Sequence, residues 1–309
     1  MFRILNKIIR QIKLGFKFDK YINLKTDEIK FHFSSLFYMN KAMNSKESGI
    51  ANELYSAESF TVSLTTYGKR IFDVYLTIES IMQQTFKPNR IVLWLAEEEF
   101  DMDNIPETLN YQQKRGLTIK FCKDIRSYKK LIPSLKEYPN DVIITIDDDV
   151  IYNIDLLEKM IKAYQNEPQY IYFNRGHLIT FNKNGSIAPY KDWKWQTNET
   201  NPSYLYVPTG VGGILYPPDS FNEEVFNEQN FMTICQSGDD IWFKAMSYLN
   251  NKKAKRIKTK SNLGEEYIEN VKMQDIALAK INNGKNQNDE QLRSVFVHYN
   301  IDMCNSKID

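Results

Sequence analysis

Three consecutive carboxylates, Asp147, Asp148 and Asp149, close the short apolar run Val142, Ile143, Ile144, Thr145, Ile146. Like charges side by side repel, and nothing in stability favours clustering them at the end of a buried run. A divalent cation would relieve the repulsion, and an all-oxygen donor set suits Mg²⁺ or Mn²⁺. The ordinary alternative is a solvated acidic loop. A second acidic pair, Asp239-Asp240, follows Gly238 and opens an apolar stretch that reads as a helix from Ile241 to Leu249. A carboxylate there can take a proton from a hydroxyl as a general base, or it can serve as an N-cap favoured by the helix dipole.

Other residues have side chains fit for a polar ligand. Thr65, Thr66, Tyr67 and Arg70 form a loop following the first expected strand, 61–65. Arg70 is placed either on a phosphate or on the surface. Lys129 and Lys130 suit phosphate as well, although a solvated helix face is the commoner setting for a lysine pair. Gly212 and Gly213, in the run 208–213, allow either a close main-chain approach by a sugar or a plain turn. Trp193 and Trp195, in the polar and aromatic stretch 182–206, suit stacking on the apolar face of an acceptor sugar, or packing of their own loop. His298 is a lone histidine, commonly a packed or exposed residue, whose role depends on a family resemblance. His177 is a weaker candidate for ligand contact, and His32 has no assigned role.

These residues need elements to hold them. The β-branched run 142–146 reads as a buried parallel strand. Strands are also expected at 61–65, 91–95, 117–122 and 170–173. Helical spacing covers 74–84, 128–138, about 155–166 with Asp155 as a cap, 241–249 and 289–296. Strands alternating with helices imply an α/β fold with a mostly parallel, Rossmann-like central sheet. The acid-tipped strand would then open at the carboxyl edge, where such sheets bind ligands. The expected organisation is an N-terminal helical extension at 1–59, a catalytic core at 60–250 and a basic, helical segment at 251–309. The lysine-rich run 252–260 suits anionic lipid or diphosphate, or an edge strand protected from aggregation by its lysines.

The 309 residues include 40 Lys plus Arg and 39 Asp plus Glu, a near-neutral balance that weighs against a general nucleic-acid binder. Three dispersed cysteines, Cys122, Cys235 and Cys304, suit a reducing compartment and not structural zinc. No stretch has the length and apolarity of a membrane span, and no secretory signal is evident. Residues 1–20 interleave Leu5, Ile8, Ile9, Ile12 and Phe16 with Arg3, Lys7, Arg10 and Lys17. A helix of that pattern lies on an anionic membrane or docks on protein. The expected location is cytoplasmic, or peripheral on the inner face of the cell membrane.

The order of these features, a Tyr-Gly-Lys-Arg loop, an Asp-x-Asp strand end, a Gly-rich turn and a Gly-Asp-Asp helix start, resembles the GT-A glycosyltransferases over residues 60–249. It is most similar to glycosyltransferase family two, small bacterial enzymes of capsule or lipopolysaccharide synthesis. The resemblance implies a nucleotide-diphosphate sugar donor, a glycan or lipid-linked acceptor, and Mn²⁺ or Mg²⁺. It places Asp147 near the ribose and the metal, Asp149 on the metal, and Asp148 in support. It makes Asp240 the base, with Asp239 as the fallback. It puts Thr65, Thr66, Tyr67, Arg70, Lys130, Gly212 and Gly213 along the donor, and His298 in the metal shell. Inversion by single displacement is expected, with retention as an alternative. The Gln-x-x-Arg-Trp sequence of processive members is absent, which implies transfer of one sugar or a short chain. The competing classes are a sugar nucleotidyltransferase, weakened by a first loop holding only Gly68, and a non-catalytic nucleotide- or glycan-binding protein.

Overall fold

The computed structural model describes residues 25–257, 267–270 and 287–303. The helix expected at 1–20, the basic residues 258–260 and Cys304 lie outside them.

A seven-stranded sheet runs in the order β10-β6-β9-β4-β1-β2-β3. Its strands are β1 (Phe60–Thr65), β2 (Arg90–Ala96), β3 (Leu117–Cys122), β4 (Val142–Thr145), β6 (Ile171–Phe173), β9 (Ile214–Tyr216) and β10 (Ala254–Arg256). β1 pairs in parallel with β2 and β4, β2 with β3, and β6 with β10; β9 runs antiparallel between β4 and β6. The fold is therefore α/β with a mostly parallel, Rossmann-like sheet. β1 and β4 are central and buried on both faces. β4 accordingly reads as a continuous apolar run, whereas β1 alternates, with Phe60, Val62 and Leu64 on one face and Thr61 and Ser63 buried on the other.

Helices cover both faces. α2 (Val74–Met82) and α5 (Leu156–Asn166) pack with β1, β2 and β4 in one core, which includes Val62, Leu64, Ile78, Ile144 and Met160. α7 (Asp239–Leu249) packs in the other with Tyr128, Phe173, Trp242 and Phe243, as does α8 (Gln287–His298). α3 (Glu107–Gln113), α4 (Ile132–Glu137) and α6 (Glu228–Ile234) complete the layers. A helix at 25–44, α1, docks through Phe31 on Leu76 and Ile151. Two small sheets lie above the main one: β5 (Val150–Tyr152) with β11 (Tyr267–Glu269), and β7 (Gly176–Leu178) with β8 (Tyr206–Pro208).

Two expectations are corrected. The helix expected over 128–138 is split into a 3-10 turn at Arg126–Lys130 and α4. Pro133 sits at the start of α4. It has no N–H to offer the carbonyl of residue 129, so the helix cannot continue backwards through it. The turn begins at Arg126 with φ +57° and rotates Lys129 and Lys130 into the interior, at 3% and 7% exposure, and not onto a solvated face. The stretch 182–206 is also more tightly built than a loose loop. Leu178 bridges Lys194, Phe181 bridges Ile187, and Trp193 is buried with its indole N–H donating to the carbonyl of Ala188 at 2.9 Å.

Candidate active site

The carboxyl ends of β1 and β4 open into a cleft of about 680 Å³. Asp147, Asp148 and Asp149 enter it directly from β4, and the α7 N-terminus brings Asp239 and Asp240 from the opposite wall. Gly238 is the N-cap of α7, so the two aspartates occupy its first turn, and neither is the cap itself. The helix dipole favours negative charge there. α8 steadies this entry: Gln291 accepts from the backbone N–H of Ser237 at 2.9 Å.

Lys130 ties the two acidic groups together. Its Nζ lies 3.1 Å from Asp147 and 2.9 Å from Asp239. Burial alone would lower its pKa, but Asp147, Asp239 and Asp240 outweigh this and hold it well above its ordinary value. Arg70 does the same for the neighbouring carboxylates, at 2.6 Å from Asp148 and 3.1 Å from Asp149. Thr66 donates to the second oxygen of Asp148 at 2.6 Å. Asp148 is thereby held at both oxygens and anchors the motif to the loop after β1. Tyr67 lies beneath the Arg70 guanidinium, 5.1 Å from its ring centre. Thr65 lines the cleft while donating to the Trp94 carbonyl at 2.8 Å. Lys129 pairs with Asp124.

The acids outnumber these cations. Eight carboxylates line the cleft (Glu99, Asp124, Asp147, Asp148, Asp149, Asp239, Asp240 and Glu269) against five cationic side chains (Arg70, Arg126, Lys129, Lys130 and Arg175). Burial, then Asp148, pushes Asp149 up to about 7, with Arg70 pulling the other way. Burial, then Asp239, raises Asp240, with Lys130 opposing. One oxygen of Asp240 accepts from the backbone N–H of Gly210 at 3.4 Å, while the other is buried without a hydrogen-bond partner. An excess of carboxylate and a buried oxygen without a donor fit a divalent cation in charge and in donor type. Among the described residues, no three His, Cys, Asp or Glu side chains already form a metal-ligand cluster.

An aromatic wall closes the other side. Tyr190 and Trp195 line the cleft, with ring centres 5.3 Å apart, and Trp195 lies 4.6 Å from His177. Tyr190 is near enough to Asp240 for that charge, after burial, to push its hydroxyl up to about 12. His177 is 1% exposed, and burial, with Arg175 adding to it, lowers its pKa to about 4. Its Nδ1 accepts from the Gln196 N–H at 3.1 Å, so the neutral ring carries its proton on Nε2.

The structure does not bring every candidate to the cleft. His298 is exposed at the far end of α8, where its Nε2 is 3.2 Å from Asn230. It sits at the opposite end of that helix from Gln291 and the α7 entry. Trp193 is 4% exposed and packs into the core, so only Trp195 of the tryptophan pair faces the cleft. Gly212 and Gly213 do not line the cleft. A Cβ at Gly212 would meet Arg175 at 2.7 Å, and Gly213 has φ +82° with Met160 behind it. The cleft-facing glycine is Gly210, where a Cβ would lie 2.5 Å from Lys130 Nζ and 2.7 Å from Asp147. Sequence reading also missed Glu269, which β11 pairs back onto β5 beside Asp149. No local pattern marks either one. Gly210 lay within the glycine-rich run, but only the fold says which glycine touches the acids.

No protein-family model matches the sequence, and no curated protein is significantly similar to it. Among solved structures, the chain is similar to the mannosyltransferase PcManGT from Pyrobaculum calidifontis in complex with GDP-Man and Mn²⁺. That likeness has 14% identity and a TM-score of 0.32, over 46% of this chain and 43% of that one. It spans less than half the length of that mannosyltransferase. The chain is also similar to the inositol-1-phosphate CTP transferase from T. maritima, at 11% identity and a TM-score of 0.41, over 75% of this chain and 99% of that one.

Proposed function

We propose that this protein is a metal-dependent glycosyltransferase of the GT-A type. It moves a sugar from a nucleoside-diphosphate donor to a glycan or lipid-linked acceptor, of the kind built into bacterial surface polysaccharide. The observation that carries this reading is the convergence of Asp147–Asp149 and Asp239–Asp240 on one cleft at the sheet's carboxyl edge, in carboxylate excess and with an unpartnered buried oxygen on Asp240. That edge is where open α/β sheets bind nucleotides.

Asp149 and Asp147 are the residues that would hold Mn²⁺ or Mg²⁺, and the metal would supply neutralisation of the leaving diphosphate. Asp148 keeps the strand end in place through Thr66 and Arg70. Thr65, Thr66 and Tyr67 line the donor side. Lys130 fixes the spacing between the metal-side acid Asp147 and the α7 pair. Asp240 takes the proton from the acceptor hydroxyl. Its raised pKa leaves a carboxylate basic enough for that work near neutral pH. Trp195, beside His177 and Tyr190, provides the face on which an acceptor sugar stacks. Displacement at the sugar carbon by the deprotonated hydroxyl, with the nucleoside diphosphate leaving from the opposite face, gives inversion.

The test is turnover with a panel of nucleotide sugars and Mn²⁺. Asp240→Asn is expected to lose about 10²–10⁴-fold in kcat while keeping its melting temperature, because it removes one of two adjacent buried charges. Full turnover in Asp240→Asn, or no transfer and no hydrolysis of any nucleotide sugar by the wild type, would refute the assignment.

A further inference from the structure

Helix α1 has two apolar faces. Phe31 and Ala42 are buried, and that side rests on Leu76 and Ile151, with Tyr38 and Ile268 packed alongside. The other side carries Ile29, Phe33, Leu36, Phe37, Met39 and Met43, which are 43–71% exposed. At 3.6 residues per turn, all six fall within an arc of about 160°. A helix that has already buried one face ordinarily turns charged and polar residues outward. Here six exposed apolar side chains share the outward face with Lys25, Thr26, His32, Asn40 and Asn44, and an exposed apolar patch of that size marks an interaction surface.

The sequence leading into this helix says what the strip meets. Residues 1–24 hold Arg3, Lys7, Arg10, Lys13, Lys17 and Lys20 against the single acid Asp19, an excess of five positive charges interleaved with apolar residues. A second copy seated on α1 would bring the same excess towards its like, and the two would repel. An anionic lipid surface attracts that charge and receives apolar side chains at the headgroup boundary. Interfacial binding strengthens with buried apolar area and with attraction to anionic lipid. Among the described residues, no helix is long and apolar enough to cross a membrane.

We propose that α1, with the basic stretch ahead of it, seats this protein on an anionic lipid surface. The inner face of the helix ties this seat to the cleft. Ile151 follows Asp149 by two residues on β5, and Ile268 directly precedes Glu269 on β11. The cleft is thus held beside the lipid surface by β11, which carries Glu269, and by β5, which begins directly after Asp149. The proposal does not depend on the reaction assigned above, and its test uses no turnover.

The experiment is flotation of the full chain with vesicles of phosphatidylcholine alone and of phosphatidylcholine mixed with phosphatidylglycerol, at low and high salt. The wild type is expected to float with the phosphatidylglycerol vesicles and to be released by salt. Phe33→Ser/Leu36→Ser changes only exposed side chains and should leave the melting temperature unchanged. It should weaken binding by about tenfold or more. Arg3→Gln/Lys7→Gln/Arg10→Gln should weaken it as well, without touching α1. The proposal is overturned if the wild type stays in solution with phosphatidylglycerol vesicles, or if the serine variant floats as the wild type does. It is also overturned if sedimentation shows a dimer that the serine variant dissolves, since a second copy would then cover the strip.

Discussion

Lys244 stands one turn beyond Asp240 on α7, 3% exposed, with its ammonium over the Tyr248 ring at 5.4 Å from the ring centre. Burial lowers its pKa to about 7 from an ordinary 10.5. Across that window the unfolded chain binds a proton that the folded chain has shed. Stability from this residue therefore rises with pH and is lowest below pH 7. Lys244→Met removes the effect. The difference in unfolding free energy between wild type and variant should change by about 1.4 kcal/mol per pH unit between those two values. It is measured by urea titration at several pH values, and a difference flat with pH would contradict the burial argument. Asp149 works in the opposite sense. Its folded pKa lies above its unfolded one, so it destabilises the protein as pH rises from about 4 towards 7. The acids themselves were legible in the sequence because three in a row are chemically conspicuous. Their partners were not. Arg70 is 78 residues from Asp148, and Lys130 is 17 from Asp147. Arg70 and Lys130 stood out as candidates for phosphate, but nothing local to either marks the carboxylate that folding sets against it.

The two ends of the glycine run do different work at the scale of the element. Gly210 holds the backbone against the Lys130–Asp147 pair, whereas Gly213 turns the chain into β9 with φ +82°. Gly210→Ala places a methyl group where those two charged groups meet, so turnover should fall while the fold loses about 1–3 kcal/mol. Gly213→Ala should lose about 1 kcal/mol to backbone strain and keep its cleft. Activity assays paired with chemical denaturation separate the two, and equal loss of activity in both would remove the distinction. The tryptophan pair divides in the same way. Trp193→Ala empties a core site and should destabilise by about 3–5 kcal/mol. Trp195→Ala, 43% exposed, should leave stability nearly unchanged and raise the KM for the acceptor. The strands were the most legible elements: 117–122 matches β3, and 142–146 overlaps β4 to within one residue. The split at Pro133 was not read, because apolar spacing continues across it.

Over the whole molecule, one arrangement accounts for the cleft. A mostly parallel sheet sends its central strands out at one edge, and α7 returns to that edge from the other core. Five aspartates from two distant segments therefore meet, with two buried cations holding them short of collapse. The parallel sheet and its acid-tipped strand could be read from β-branched runs alternating with helical spacing. The antiparallel β9, the small β5–β11 sheet and the aromatic wall could not, since each is a pairing of short segments far apart in the chain. If the acidic cleft binds a divalent cation together with a nucleoside diphosphate, both should register in thermal stability. The most direct measurement is the melting temperature of wild type and Asp149→Asn across a panel of nucleoside diphosphates, with and without Mn²⁺. A ligand present at a hundred times its Kd adds about 2.7 kcal/mol to the folded state. One nucleotide is expected to raise the wild-type melting temperature only when Mn²⁺ is present, and Asp149→Asn to abolish the shift. A shift that needs no metal and survives in the variant, or no shift with any nucleotide, would contradict such binding.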